Sequence, residues 1–230
     1  MHKIGVLDSG IGGLTICSYI FKAMPDVNIL YYADTLNAPY GNKTKDEVYV
    51  AVRAGVKYLV ASDCDAVVIA CNTATTTCID KIRAEFSLPV IGISPNLDFL
   101  KNGEIPLLLA TPLTYQNQSE KVFKRADTSL LSSVIERAVL CDEILKKLAF
   151  TLVPKCENYV VLGCTHYLYL ERFLNCSVFD GGEKVARDLK SVIDTRKSKR
   201  GGNLFLAFSG QKYFSKCLLA FDTFDNFNRL

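Results

Sequence analysis

The stretch Ala66–Thr77, AVVIACNTATTT, runs five apolar residues into a thiol, an amide and a series of hydroxyls. A continuous apolar run of this kind, without period-two alternation, is the pattern of a strand buried on both faces of a parallel sheet. Cys71, Asn72 and Thr73 then fall at the carboxyl end of that strand, where a helix is expected to start. Ligands of open α/β sheets bind at this edge, because backbone N–H groups at helix starts collect there and favour a carboxylate. Taken alone, the stretch reads as Cys71 filling the core while Asn72 and Thr73 cap a helix.

The same alternation runs through the chain. Lys3–Leu7 reads as a first strand that ends on Asp8, Ser9 and the glycines of DSGIGG, with a helix from Leu14 to Met24. That loop lacks the G-x-G-x-x-G spacing of a dinucleotide site and has no Walker lysine after it. Val27–Ala33 is a second strand, Pro39-Tyr40-Gly41 a turn, and Thr44–Ala61 a long amphipathic helix with Asp46 and Glu47 in its first turn. The helix after Cys71 is expected to reach about Phe86, with a short strand Pro89–Ile93 and a break at Ser94-Pro95.

A second half opens near Ile105 with the apolar run IPLLLAT and a predicted helix over Tyr115–Lys124. Thr128–Phe150 is expected to be helical with a break near Cys141, and Tyr159–Gly163 is a strand ending on Cys164-Thr165-His166. A helix from about Leu168, a strand over Ser177–Phe179 and the turn Asp180-Gly181-Gly182 come next. Glu183–Thr195 is a further helix, Asn203–Phe208 a last strand, Gly210–Ala220 a last helix, and a polar tail closes the chain. Strands alternating with helices predict an α/β fold with mostly parallel sheets flanked by helices.

Bulk properties narrow the function. With 230 residues, 49% hydrophobic and 22% charged, the chain can fill one large core or two smaller ones. A net charge of +3 is too mild to imply nucleic acid, and the one dense basic run, Arg196–Arg200, reads as a solvated loop. No apolar segment reaches the roughly 18 residues of a membrane span, and the opening residues form a strand rather than a leader, so a cytoplasmic protein is expected. Nine cysteines, an odd number without any C-x-x-C pair, are expected to be reduced thiols. With only His2 and His166 available, no zinc spacing exists, and metal binding is not expected.

The informative feature is an internal echo: VVIA-Cys71-Asn72-Thr73 in the first half and VVLG-Cys164-Thr165-His166 in the second, 93 residues later. Two similar halves whose equivalent strand ends face one another would place two thiols on opposite sides of one cleft. Such a pair suits inversion of a carbon next to a carboxylate, one thiolate removing a proton from one face while the other thiol returns one to the opposite face. Asp8 is placed to assist Cys71 and His166 to assist Cys164, with Ser9, Asn72, Thr73, Thr75 and Thr165 as neutral groups for a substrate's ammonium and carboxylates.

Four stretches carry a resemblance: Asp8–Gly13 (DSGIGG), Pro39-Tyr40-Gly41, Ala70–Thr75 (ACNTAT) and Gly163–Tyr167 (GCTHY). In order and near-spacing they resemble the signature stretches of the glutamate racemases, within the aspartate/glutamate racemase superfamily. The resemblance implies two pseudo-symmetric α/β lobes with the active site between them, residues 1–95 and 205–230 forming the first lobe and 96–204 the second. It also implies a task for each site residue: Cys71 as base toward D-glutamate and Cys164 toward L-glutamate, assisted by Asp8 and His166. Ser9, Pro39, Tyr40, Gly41, Asn72, Thr73, Thr75 and Thr165 would bind substrate, with Glu136 as a supporting acid. No cofactor or metal is implied, the partner is glutamate alone, the assembly is a homodimer, and the product D-glutamate would feed bacterial peptidoglycan.

The chain departs from the family pattern at Leu168, where a proline is usual, at Ser132-Ser133, where an apolar residue and a proline are usual, and at Gly181-Gly182. Three other readings compete: a sister racemase or isomerase acting on aspartate or a related diacid, a hydrolase using Cys164 with His166 alone, and a non-catalytic glutamate-binding regulator.

Overall fold

The computed structural model describes residues 1–95, 105–117, 124–126, 128, 130–153, 159–193, 201–210 and 214–228. The basic run Arg196–Arg200 and the segment between Leu97 and Glu104 lie outside the described residues. The first half reads β1 (Lys3–Asp8), α1 (Leu14–Ala23), β2 (Asn28–Ala33), a 3-10 turn (Tyr40–Asn42), α2 (Lys45–Ala61), β3 (Ala66–Ile69), α3 (Asn72–Glu85) and β4 (Val90–Gly92). The second half reads β5 (Leu107–Ala110), α4 (Pro112–Gln116), β6 (Lys124–Arg125), α5 (Leu131–Ala138), α6 (Asp142–Leu152) and β7 (Tyr159–Gly163). A 3-10 helix (Thr165–Phe173), β8 (Ser177–Phe179), α7 (Gly182–Val192), β9 (Leu204–Phe208) and α8 (Phe214–Asn228) complete it.

These strands form two parallel sheets, of order β4-β3-β1-β2-β9 and β6-β5-β7-β8, each flanked by helices as the alternating pattern predicts. The unbroken apolar runs are the inner strands: every residue of β3 and of β5 is buried. Register then decides where the polar residues emerge. Leu7 pairs with Ile69 in the first sheet and Ala110 with Gly163 in the second, so each sheet presents two neighbouring carboxyl ends. Asp8 and Cys71 leave the first pair, and Thr111 and Cys164 leave the second. Among the described residues no helix is long and apolar enough to cross a membrane.

Three expectations need correction. The helix expected over Tyr115–Lys124 begins at Pro112 and ends at Gln116, because Thr111 caps it by accepting from the Thr114 N–H and Pro112 occupies its first turn. Lys124 instead pairs in parallel with Leu107 at the sheet edge. After Cys164 the chain winds directly into a 3-10 helix from Thr165, three residues before the expected start. The last helix runs further than expected, to Asn228, while the expected start falls next to residues 211–213, which lie outside the described residues.

That helix is held by aromatic packing. β9 pairs with β2, returning the end of the chain to the first sheet. On α8, the Phe224 ring lies 6.3 Å from Tyr19 of α1 and 5.8 Å from Tyr169 of the 3-10 helix, while Phe221 meets Phe21 at 6.2 Å. Phe224 is 3% exposed and touches both halves of the molecule. Phe224→Ala is therefore expected to destabilise the protein by about 3 kcal/mol in urea unfolding; a loss below about 1 kcal/mol would show that α8 is not anchored through this ring.

Candidate active site

A cleft of about 400 Å³ lies where the carboxyl ends of the two sheets meet, and both Cys71 and Cys164 line it. Ser9, Pro39, Tyr40, Gly41, Thr73, Glu136, Thr165 and His166 line it too, so ten of the thirteen residues singled out from the sequence surround one space. Asp8, Asn72 and Thr75 do not contribute to its lining.

The Cys164 side is built around a charged pair. Its sulfur is 3.8 Å from His166 Nδ1, and His166 Nε2 is 2.6 Å from Glu136 Oε2. The same Glu136 oxygen accepts the Ile11 N–H at 3.0 Å, which ties α5 to the glycine loop after β1. Burial resists charge on His166, yet the hydrogen bonds to Cys164 and Glu136 raise its pKa well above the ordinary imidazole value. Burial likewise resists ionisation of Glu136, but the His166 hydrogen bond and charge, with the Ile11 N–H, hold its carboxyl below its ordinary value. Imidazolium and carboxylate are the consistent states: Nε2–H donates to Glu136, and Nδ1–H points to sulfur, where it can support a thiolate.

Two glycines make this contact sterically possible. A Cβ on Gly12 would stand 2.5 Å from His166 Nδ1, and one on Gly10 would collide with the Glu136 carboxylate. The DSGIGG loop is thus a docking surface for the Glu136–His166 pair, which explains Gly10 and Gly12 without a phosphate.

The Cys71 side is different. Burial and the Asp8 carboxyl push the Cys71 thiol well up, against the weaker pull of the Ala74 and Thr73 backbone. Asp8 is fully buried behind the cleft wall, its Oδ2 accepting the N–H groups of Gly10 and Gly13 at 3.2 and 3.1 Å. Burial raises its carboxyl above the ordinary value, opposed by the His166 charge and by those two N–H groups. Among the described residues, Asp8 Oδ1 and both amide atoms of Asn72 are buried with no hydrogen-bond partner. Each such group costs about 1–3 kcal/mol while unmatched, which is tolerated where a ligand completes it.

Around the thiols, Tyr40 donates its hydroxyl to Asp34 at 2.5 Å, and Asp34 also accepts from Ser209, just beyond β9. Thr73 shares hydroxyl contacts with Thr111 at 2.8 Å and Thr114 at 3.2 Å, joining α3 to α4. Thr75 turns away: its hydroxyl donates to the Ile69 carbonyl at 3.1 Å and it lines a separate cavity of about 630 Å³. Thr111, Ser132, Ser133, Arg137 and Lys216 line the cleft without having been singled out as site residues. The polar end of IPLLLAT was the available signal for Thr111; Lys216 had none. No group of three or more His, Cys, Asp or Glu side chains among the described residues is placed to hold a metal.

The profile of the Asp/Glu/Hydantoin racemase family matches residues 20–96. A glutamate racemase of Campylobacter curvus is 38% identical over 83% of this chain and 83% of its own length. One from Halothermothrix orenii is 32% identical over 91% and 94%. Among solved structures, the glutamate racemase of Campylobacter jejuni superposes with a TM-score of 0.79 at 23% identity, covering 97% of this chain and 98% of that one. The Thermus thermophilus glutamate racemase, in complex with beta-chloro-D-alanine, gives a TM-score of 0.78 at 22% identity over 98% and 92%. These two structural likenesses establish the two-sheet fold.

The charged pair has a measurable signature. The raised His166 contributes stability that is complete below its ordinary value of 6.5 and is lost as pH rises through its folded value. The lowered Glu136 contributes stability present above its ordinary value of 4.5 and lost as pH falls through its folded value. With only two histidines in the chain, ring NMR isolates His166. It is expected to stay protonated through neutral pH, and Glu136→Gln is expected to lower its titration midpoint; a wild-type midpoint at the ordinary value would contradict the pair.

Proposed function

This chain belongs to the glutamate racemase family, and on that premise we propose that it interconverts L- and D-glutamate using Cys71 and Cys164 as its two bases, without a cofactor. The observation that carries the reading is that both thiols line one cleft in unlike surroundings. A thiolate on Cys164, supported by imidazolium, takes the α-proton of L-glutamate. Cys71, kept as a thiol by burial and Asp8, gives its proton to the opposite face of the planar carbanion. The bond broken is Cα–H on one face, and the bond formed is Cα–H on the other. Afterwards Cys71 is the thiolate and Cys164 the thiol, the form that accepts D-glutamate.

Several features support glutamate as the substrate. The cleft volume of about 400 Å³ suits a small amino acid. Ser9, Thr73 and Thr165 offer hydroxyls, and Pro39-Tyr40-Gly41 forms one wall. We assign Asn72 to the substrate as well, since its amide is otherwise unmatched among the described residues, and Asp8 and His166 as assistants to the two thiols with Glu136 behind His166. Thr75 is the weakest member of the proposed binding set. The reading carries with it the lobe division at residues 1–95 with 205–230 and 96–204, a cytoplasmic homodimer, and delivery of D-glutamate to peptidoglycan synthesis.

Purified protein treated with a chelator and given no pyridoxal phosphate is expected to bring either glutamate enantiomer to the racemate, monitored by circular dichroism. Cys71→Ser and Cys164→Ser should each lower kcat by about a thousandfold, the scale of a lost general base. Full activity in either variant would rule out the paired-thiol mechanism, and a harmless Cys71→Ser would point to hydrolytic chemistry on Cys164 alone.

A further inference from the structure

One face of α5 is turned to the cleft. Ser132, Ser133, Glu136 and Arg137 line it, while Leu131, Ile135 and Val139 are buried in the core, as helical spacing requires. Lys216, in the first turn of α8, lines the same cleft and lies near enough to Glu136 to help hold its carboxyl ionised. Ser132 and Ser133 keep this wall polar. Arg137 is exposed and has no ion-pair partner among the described residues.

Charge balance gives these cations a role. When Cys164 is a thiolate, Cys164, His166 and Glu136 together carry one net negative charge. An amino dicarboxylate brings another. Hydroxyls can hold its carboxylates once bound, but they neither attract them at a distance nor offset repulsion from the base. Apart from His166, the cations on the cleft lining among the described residues are Arg137 and Lys216. They come from different parts of the fold, Arg137 from a helix of the second half and Lys216 from the helix after β9 of the first sheet.

We propose that Arg137 and Lys216 form a cationic lip that draws the substrate's carboxylates into the cleft and offsets the negative charge of the base. The proposal rests on the amino-dicarboxylate reading of the site and names two specificity residues that act on binding. They favour a substrate with a second carboxylate over a neutral amino acid of similar size.

The test is calorimetric titration of glutarate, a dicarboxylate with no stereocentre, into wild type, Arg137→Gln, Lys216→Gln and the double variant at low and high salt. Each single variant is expected to weaken binding about threefold or more, and the double variant about tenfold or more with a flatter salt dependence. Lys216→Arg should retain most of the affinity, and in turnover KM should rise more than kcat falls. A double variant that binds within about twofold of wild type with the same salt slope would overturn the lip, as would a wild type that does not bind glutarate. Exchange of the glutamate α-hydrogen by wild type is read separately: glutarate binding lost on substitution without exchange would sustain the lip and refute the racemase reading, and exchange with unchanged binding would do the reverse.

Discussion

The carboxylate of Glu136 is the contact on which the cleft depends. It reaches His166 from α5, accepts the Ile11 N–H from the loop after β1, and is stabilised as an anion by the charge of Lys216 on α8. Three segments far apart in the chain thereby converge on one partly buried charge. Removing one partner of a buried pair leaves the other uncompensated, at a cost of roughly 3–5 kcal/mol. Stability and chemistry are therefore coupled here. The group that ties the second-sheet helix to the first-sheet loop also helps, with Cys164, to raise the pKa of the imidazole between them.

That pair also underlies the proposed division of labour between the thiols. Two thiolates on one small cleft would repel, so the proposed mechanism pairs one thiolate with one thiol. Imidazolium stands beside Cys164, whereas burial and a carboxyl surround Cys71. Similar strand ends in two similar sheets thus acquire unlike surroundings. The difference lies in the residues just after each cysteine: Cys164 has a histidine two positions on, and Cys71 begins a helix lined with threonines.

Much of this was legible in the sequence because it is local. Apolar runs ending on Asp8, Cys71 and Cys164 marked the strand ends, and the pairing of β1 with β3 and of β5 with β7 placed those ends side by side. The illegible part depends on distance along the chain or on direction. Ile11 and Glu136 lie 125 residues apart, and nothing in either neighbourhood announces their hydrogen bond. Thr73 and Thr75 look equivalent in a string of threonines, yet positions two apart on a helix do not share a face. Thr73 accordingly meets the cleft and Thr75 the cavity behind it. The start of α4 was marked by the Thr111-Pro112 cap signal, which the apolar run beside it overshadows in the sequence.

The central claim is that different thiols serve the two faces of the α-carbon, and early-time isotope labelling tests it most directly. L-glutamate is incubated in deuterated water, and deuterium at Cα is measured separately in the two enantiomers before much product has formed. Two bases on opposite faces predict D-glutamate that carries solvent deuterium while the remaining L-glutamate stays protiated. Equal deuterium in both enantiomers, or product retaining the substrate's own hydrogen, would mean that one group handles both faces and would contradict the account.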